Sequence, residues 1–167
     1  MGWLRQLLMV EKSEPEDFPD EDPLEGGVYL DSSALAKLYV TEVETEDLES
    51  FLVGRTDLMI SDLCITEVIS AVARRRREGA LDAKQANEIR RAILDDAKSA
   101  SFRRLDLTPA VHREAERMLL SSQSVALRTL DALHVAIALS GPAVRLITFD
   151  DRMKAAAAVQ GLEIVEL

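Results

Sequence analysis

From Val28 onward, short apolar runs alternate with amphipathic segments. Val28-Tyr29-Leu30 is closed by Asp31, and the amphipathic stretch from Ala34 to Val40 follows directly. That order predicts a buried parallel strand entering a helix, with Asp31 at the strand's carboxyl end. An acidic helix over residues 44–53 leads to a short strand over 57–60, and Ser61 stands where a cap would begin a long helix over 62–78. Gly79 ends that helix, and Asp82 caps the next, which runs to Lys98. Residues 102–107 read as a strand, Pro109 suits the first turn of a helix ending at Leu120, and residues 121–125 read as a loop. Residues 127–139 are apolar nearly all the way round and are stopped by Gly141-Pro142. A strand over 144–149, an alanine-rich helix over 150–159 and a last strand over 162–165 complete the chain. Strands separated by helices need crossover connections, so the expected fold class is α/β, a three-layer α/β/α sandwich with a mainly parallel central sheet.

The pattern is different before Val28. Trp3 to Val10 can form a short amphipathic helix, whereas Glu11 to Gly27 is acidic, holds Pro15, Pro19 and Pro23, and ends in two glycines. Such a stretch cannot bury enough surface to fold by itself and reads as a linker. The expected domains are therefore an N-terminal extension over 1–27 and a globular domain over 28–167.

Composition refines this picture. With 47% apolar and 30% charged residues the chain is that of a soluble globular protein, and no apolar run is long enough to span a membrane. Cys64, the single cysteine, excludes an intramolecular disulfide and a cysteine zinc cage, which makes a cytoplasmic home the expectation. The net charge of -10 argues against a nucleic-acid partner until its distribution is considered. Residues 1–27 carry eight acids and two bases, whereas residues 72–128 carry thirteen bases and eight acids. The bases cluster at Arg74 to Arg77, Arg90-Arg91 and Arg103-Arg104. These clusters either solvate helix faces or steer a phosphate backbone, since surface fields act over about 10 Å at moderate salt.

Four carboxylates stand where packing alone gives no reason for them. Asp31 follows the first strand, Glu67 and Asp131 lie within apolar helices, and Asp150 closes the strand Leu146-Ile147-Thr148-Phe149. An unpaired buried carboxylate costs several kcal/mol (order of magnitude), so each needs a cation, a base or a shifted pKa. Individual structural roles exist for all four. Asp31 and Asp150 can cap helices, Glu67 can reach an arginine of the following turns, and Arg128 can neutralise Asp131 from three residues away. Asp151 competes with Asp150 for its place. A single cluster at the carboxyl edge of the sheet accounts for all four together, and that edge is where ligands of open α/β sheets bind. Oxygen donors without cysteine favour a hard cation, Mg²⁺ or Mn²⁺, which activates water and clamps phosphodiester oxygens.

Asp31-Ser32-Ser33 after the first strand, Glu67 on its apolar helix, Leu130-Asp131-Ala132-Leu133-His134 and Thr148-Phe149-Asp150 together resemble the acidic motifs of PIN-domain nucleases. Their order and spacing are most similar to VapC-type ribonuclease toxins of type II toxin–antitoxin pairs, over residues 28–167. The resemblance implies a metal-dependent endoribonuclease. Asp31, Glu67, Asp131 and Asp150 would ligate one or two Mg²⁺ or Mn²⁺ ions, with Ser33 and Thr148 orienting carboxylates and substrate. It also implies an RNA substrate (tRNA or ribosomal RNA), a cognate antitoxin and a homodimer, with the apolar helices 35–40 and 63–73 on or near the area that resembles the family's dimer and antitoxin-binding surface. His134 reads as a packed, hydrogen-bonded histidine and His112 as a surface residue without a specific role. The extension before Val28 departs from the family pattern and resembles an antitoxin tail, with Trp3, Leu4, Leu7 and Leu8 around Arg5. It is read either as an internal inhibitor or as an unstructured leader.

Other readings use the same residues. The chain could be a PIN-like RNA-processing nuclease outside a toxin system, or a catalytically idle interaction module whose acids are caps and ion pairs. A phosphohydrolase with Asp31 as covalent nucleophile would want an Asp two residues on, where this chain has Ser33.

Overall fold

The structure, a computed structural model, describes residues 26–98, 101–122 and 126–167. The expected extension helix over 3–10, the expected linker over 11–27 except its two glycines, and residues 123–125 of the loop over 121–125 lie outside the described residues.

Five strands form one sheet: β1 (Gly27–Leu30), β2 (Leu58–Ser61), β3 (Arg103–Leu105), β4 (Ala143–Ile147) and β5 (Glu163–Ile164). Their order is β3-β2-β1-β4-β5, and every neighbouring pair is parallel. Among the described residues the helices are α1 (Ser32–Lys37), α2 (Thr45–Leu52), α3 (Asp62–Arg77), α4 (Ala83–Lys98), α5 (Pro109–Ser121), α6 (Thr129–Ser140) and α7 (Asp151–Val159).

Alternation along the strands assigns the two faces. Val28, Leu30, Leu58 and Ile60 join one core with Leu35 of α1, Leu48 of α2, Val68 of α3 and Ile93 of α4. Tyr29, Met59 and Leu146 join the other, with Met118 of α5, Val135 and Ile137 of α6 and Met153 of α7. The molecule is thus the expected α/β/α sandwich. Each fully buried aliphatic side chain such as Leu30, Leu58 or Ile137 contributes about 1.5–3 kcal/mol relative to an exposed one. Residues 131–138 of α6 are buried without interruption, which is why that helix reads as apolar all round. Leu35, Leu38, Val68 and Val72, on the segments expected on or near the dimer and antitoxin-binding surface, are core residues of a single copy.

Several element ends differ from the expected ones. The first helix stops at Lys37 rather than Val40, because the Leu38 amide turns back onto the Ala36 and Leu35 carbonyls. The third strand keeps only the three residues that find partners in β2. The first strand takes in Gly27, whose amide donates to the Pro142 carbonyl at 2.9 Å. A β-carbon at Gly27 would collide with the Asp57 carbonyl and the Met59 side chain, so the second glycine serves close strand packing.

Chain order and sheet order together create the site. From β1 the chain moves outward to β2 and β3, then crosses back to lay β4 on the other side of β1. The crevice at the carboxyl ends of β1 and β4 is therefore the topological switch point, the usual ligand position in such sheets.

Candidate active site

Asp31 leaves β1 in extended conformation and caps α1: its Oδ1 accepts the Ala34 amide at 2.9 Å and the Ser33 hydroxyl at 2.7 Å. Its Oδ2 accepts the Thr148 hydroxyl from the end of β4 at 2.7 Å. Thr148 Oγ1 in turn accepts the Asp150 amide at 3.1 Å, and Ser33 Oγ accepts the Phe149 amide at 2.9 Å. Ser33 and Thr148, expected to orient the carboxylates, thus fasten the ends of β1 and β4 around Asp31. The Asp31 side chain is buried, and no lysine or arginine pairs with it among the described residues. Burial raises its pKa, opposed by the Ala34 amide, the nearby His134 and the Ser33 and Thr148 hydroxyls.

Glu67 lies in the second turn of α3 and is half-buried. Its Oε2 is 2.5 Å from His134 Nε2 of α6. Burial pushes its pKa up, but the bond and charge of His134 and the Ser32 hydroxyl hold it below the ordinary value. His134 is fully buried, and its Nδ1 lies 2.8 Å from the Tyr29 hydroxyl, itself 2.8 Å from Ser61 Oγ. The two hydroxyls and the two ring nitrogens supply donors and acceptors enough for every contact of this row to be a hydrogen bond. The row passes from the end of β2 across β1 to α6 and returns to α3, tying both helical layers to Glu67. His134 is packed and hydrogen-bonded, as its sequence position implies. Tyr29 and Ser61 were not expected at the site; Tyr29 reads only as a strand former and Ser61 only as a cap, which it also is, accepting the Cys64 amide at 3.2 Å.

Asp131 is buried one helical turn before His134, and its Oδ2 accepts the Arg128 backbone amide at 3.1 Å. Neutralisation by the Arg128 side chain is not what the structure holds: Arg128 precedes the helix in extended conformation, and no ion pair joins the two among the described residues. Asp150 caps α7 through the Arg152 amide at 2.8 Å and the Met153 amide at 3.2 Å, with the Arg152 guanidinium at 3.4 Å. Burial would raise its pKa, but these amides and the guanidinium keep it low. Asp151 is the exposed first residue of α7 and lacks the tie to Thr148.

Asp31 and Asp150 are thus joined through Thr148, while Glu67 and Asp131 flank His134 on its partner helix and its own. As the side chains stand, no group of three or more histidine, cysteine or carboxylate residues converges closely enough to hold a metal ion among the described residues. The donor chemistry nevertheless fits a hard cation. Asp31 and Asp131 are buried carboxylates that no lysine or arginine pairs with among the described residues, and the Ser33 and Thr148 hydroxyls stand beside Asp31.

A PIN domain model matches residues 28–159. Ribonuclease VapC46 of Mycobacterium tuberculosis is 34% identical over 146 residues, covering 83% of this chain and 95% of that protein. Ribonuclease VapC35 of the same organism is 30% identical over 151 residues, with the same coverage of 83% and 95%. Among solved structures, Mycobacterium tuberculosis VapC20, described as a sarcin-ricin loop cleaving toxin, superposes with a TM-score of 0.62 at 16% identity over 78% of this chain and 95% of that one. FitAcB from Neisseria gonorrhoeae gives 0.62 at 17% identity over 83% and 96%. Both structural likenesses concern the fold. No helix among the described residues is long and apolar enough to cross a membrane.

Proposed function

Since the chain belongs to the PIN-domain family, and within it to the VapC ribonucleases, we propose that it hydrolyses RNA phosphodiester bonds as the toxin of a toxin–antitoxin pair. The observation that supports this most directly is Asp31. It is a buried carboxylate that no lysine or arginine pairs with among the described residues, fastened by Ser33 and Thr148 at the switch-point crevice.

In this reading Asp31, Glu67, Asp131 and Asp150 would hold Mg²⁺ or Mn²⁺, as one or two ions. A bound ion of this kind supplies Lewis-acid stabilisation of the phosphodiester oxygens and lowers the pKa of attacking water. The chain's own contribution is orientation. Thr148 and Ser33 present the Asp31 oxygens in one direction, and three donated hydrogen bonds favour their charged form against burial. His134 fixes the Glu67 carboxylate from below, so Glu67 is ionised and aimed before substrate arrives. These hydrogen bonds narrow the orientations that the Asp31 and Glu67 carboxylates sample, which lowers the cost of bringing them onto an ion.

The partners in this reading are an RNA substrate, tRNA or ribosomal RNA, a cognate antitoxin and a second copy of the chain. The test is incubation of the purified protein with a total tRNA and ribosomal RNA pool, with Mn²⁺ or Mg²⁺ and with EDTA. Discrete fragments that vanish with chelator are expected. Intact RNA in every lane, with no metal-induced rise in melting temperature, would favour the idle interaction module.

A further inference from the structure

A groove between α1 and α3 opens beside the acidic edge, enclosing ≈ 300 Å³. Ser33, Glu67 and Phe149 line it where it meets that edge, and Lys37, Glu42 and Arg75 also border it. We infer that Lys37 and Arg75 form a subsite for a backbone phosphate of the RNA strand beside the scissile bond, and that the Glu42 carboxylate occupies this subsite until RNA displaces it. This inference rests on the ribonuclease reading above.

The geometry of Glu42 carries it. Its Oε2 lies 2.7 Å from Lys37 Nζ, and its Oε1 lies 2.8 Å from Arg75 Nη2 on the other helix. Two anionic oxygens held between an ammonium and a guanidinium are the charge and shape that a phosphodiester's non-bridging oxygens present. The three groups differ in how firmly they are held. The side chains of Glu42 and Arg75 are 41% and 40% exposed, so their pair is of the weak, exchangeable kind. Lys37 is 9% exposed and keeps a second partner, Glu44 at 2.7 Å, when Glu42 leaves. Its ammonium also sits 4.5 Å from the centre of the Phe149 ring, and the Phe149 amide is bonded to Ser33.

Lys37 follows Ser33 by one helical turn, so the fixed cation faces the same way as the residue that orients Asp31. Ala36, Val40, Ala71 and Val72 make part of the groove wall apolar. A contact from Lys37 and Arg75 to a backbone phosphate carries no sequence information directly. A phosphate rather than a peptide carboxylate is favoured because the paired cations border a groove that leads to the acidic edge.

The test measures binding of a short single-stranded RNA of mixed sequence to the full chain, in EDTA so that it is not cut, across a salt series. Glu42→Gln is expected to bind about 2- to 10-fold tighter at moderate salt, the range set by the loss of two competing ion pairs. Arg75→Gln is expected to bind more weakly, with a slope of log affinity against log salt shallower by about 0.7, one phosphate contact on a single strand. Glu114→Gln, which removes a carboxylate paired with Arg117 on α5, controls for net charge and should match the wild type. Melting temperatures near the wild type certify that the variants are folded. If Glu42→Gln binds RNA no tighter than Glu114→Gln while the wild type still cuts RNA with metal present, the inference is wrong and the ribonuclease reading stands. Tighter capture of an acidic peptide with unchanged RNA binding would overturn it in favour of a protein partner. A wild type that neither binds nor cuts RNA would overturn both.

Discussion

Removing one oxygen tests the row that holds Glu67. Tyr29→Phe keeps the buried ring and its packing against β4 and α6, but deletes the hydroxyl that sits 2.8 Å from both Ser61 Oγ and His134 Nδ1. All three residues are fully buried, so water cannot replace the lost partner without opening the core. Leaving a buried polar group unsatisfied costs about 1–3 kcal/mol. Two groups are stranded here, His134 Nδ1 and the Ser61 hydroxyl, and the latter can partly turn toward another acceptor. The expected loss is therefore about 2–4 kcal/mol. For a domain of this size that corresponds to a fall in melting temperature of roughly 4–16 °C at about 2–4 °C per kcal/mol. Urea denaturation followed by circular dichroism, in EDTA, measures the free energy, with the slope against urea serving as a check that the unfolding transition is unchanged in kind. His134→Phe in the Tyr29→Phe background should then cost less than His134→Phe alone, because the partners are already stranded. A loss under about 0.5 kcal/mol for Tyr29→Phe, or strict additivity with His134→Phe, would refute the row.

Three further outcomes follow from the same site. Burial raises the Asp31 pKa, so the folded state keeps that proton to higher pH than the unfolded chain; the associated stability is fully present below the unfolded value of about 3.9 and is lost as pH rises through the folded value. In EDTA the wild type should therefore lose stability relative to Asp31→Asn as pH rises from the acid range towards neutrality, and equal slopes in urea titrations would contradict this. Mn²⁺ should raise the melting temperature of the wild type by an amount that grows with its concentration, and raise that of Asp31→Asn less, as differential scanning fluorimetry would read out. Deleting residues 1–25 removes no strand or helix of the described domain, which should therefore still unfold in one cooperative transition. A change in cleavage rate or in oligomeric state, by sizing chromatography, would instead assign the extension a regulatory part.

The alternation of apolar runs and amphipathic segments was enough to read the layers, because the central strands β1 and β2 are short, buried throughout and each closed by a helix-capping residue. Asp31 was legible as a strand-end carboxylate, and Ser61, Asp82 and Pro109 marked helix starts that the structure retains. What no local pattern carries is strand order. Nothing near residues 143–147 says that this strand lies against β1 rather than β3, yet that choice alone brings Thr148 to Asp31 across 117 positions. The partners of His134 were hidden for the same reason, since Tyr29 and Glu67 stand 105 and 67 residues away. Arg128 misled because the side-chain rule for residues three apart holds only inside a helix, and Arg128 lies before the first turn, where its amide rather than its guanidinium meets Asp131. The Glu42 bridge was equally invisible: it joins a loop to α1 and to the far end of α3, and its residues read separately as surface charge.

The central claim is that the acids at the switch-point crevice are the hydrolytic centre. The most direct measurement compares metal-dependent RNA cleavage by the wild type, Asp31→Asn, Asp131→Asn and the surface control Glu114→Gln, each confirmed as folded by its melting transition. The account predicts the same discrete fragments from the wild type and Glu114→Gln, with cleavage by the two crevice variants falling by at least about a hundredfold, the scale on which positioned charged groups act. Cleavage by folded Asp31→Asn at the wild-type rate would contradict it.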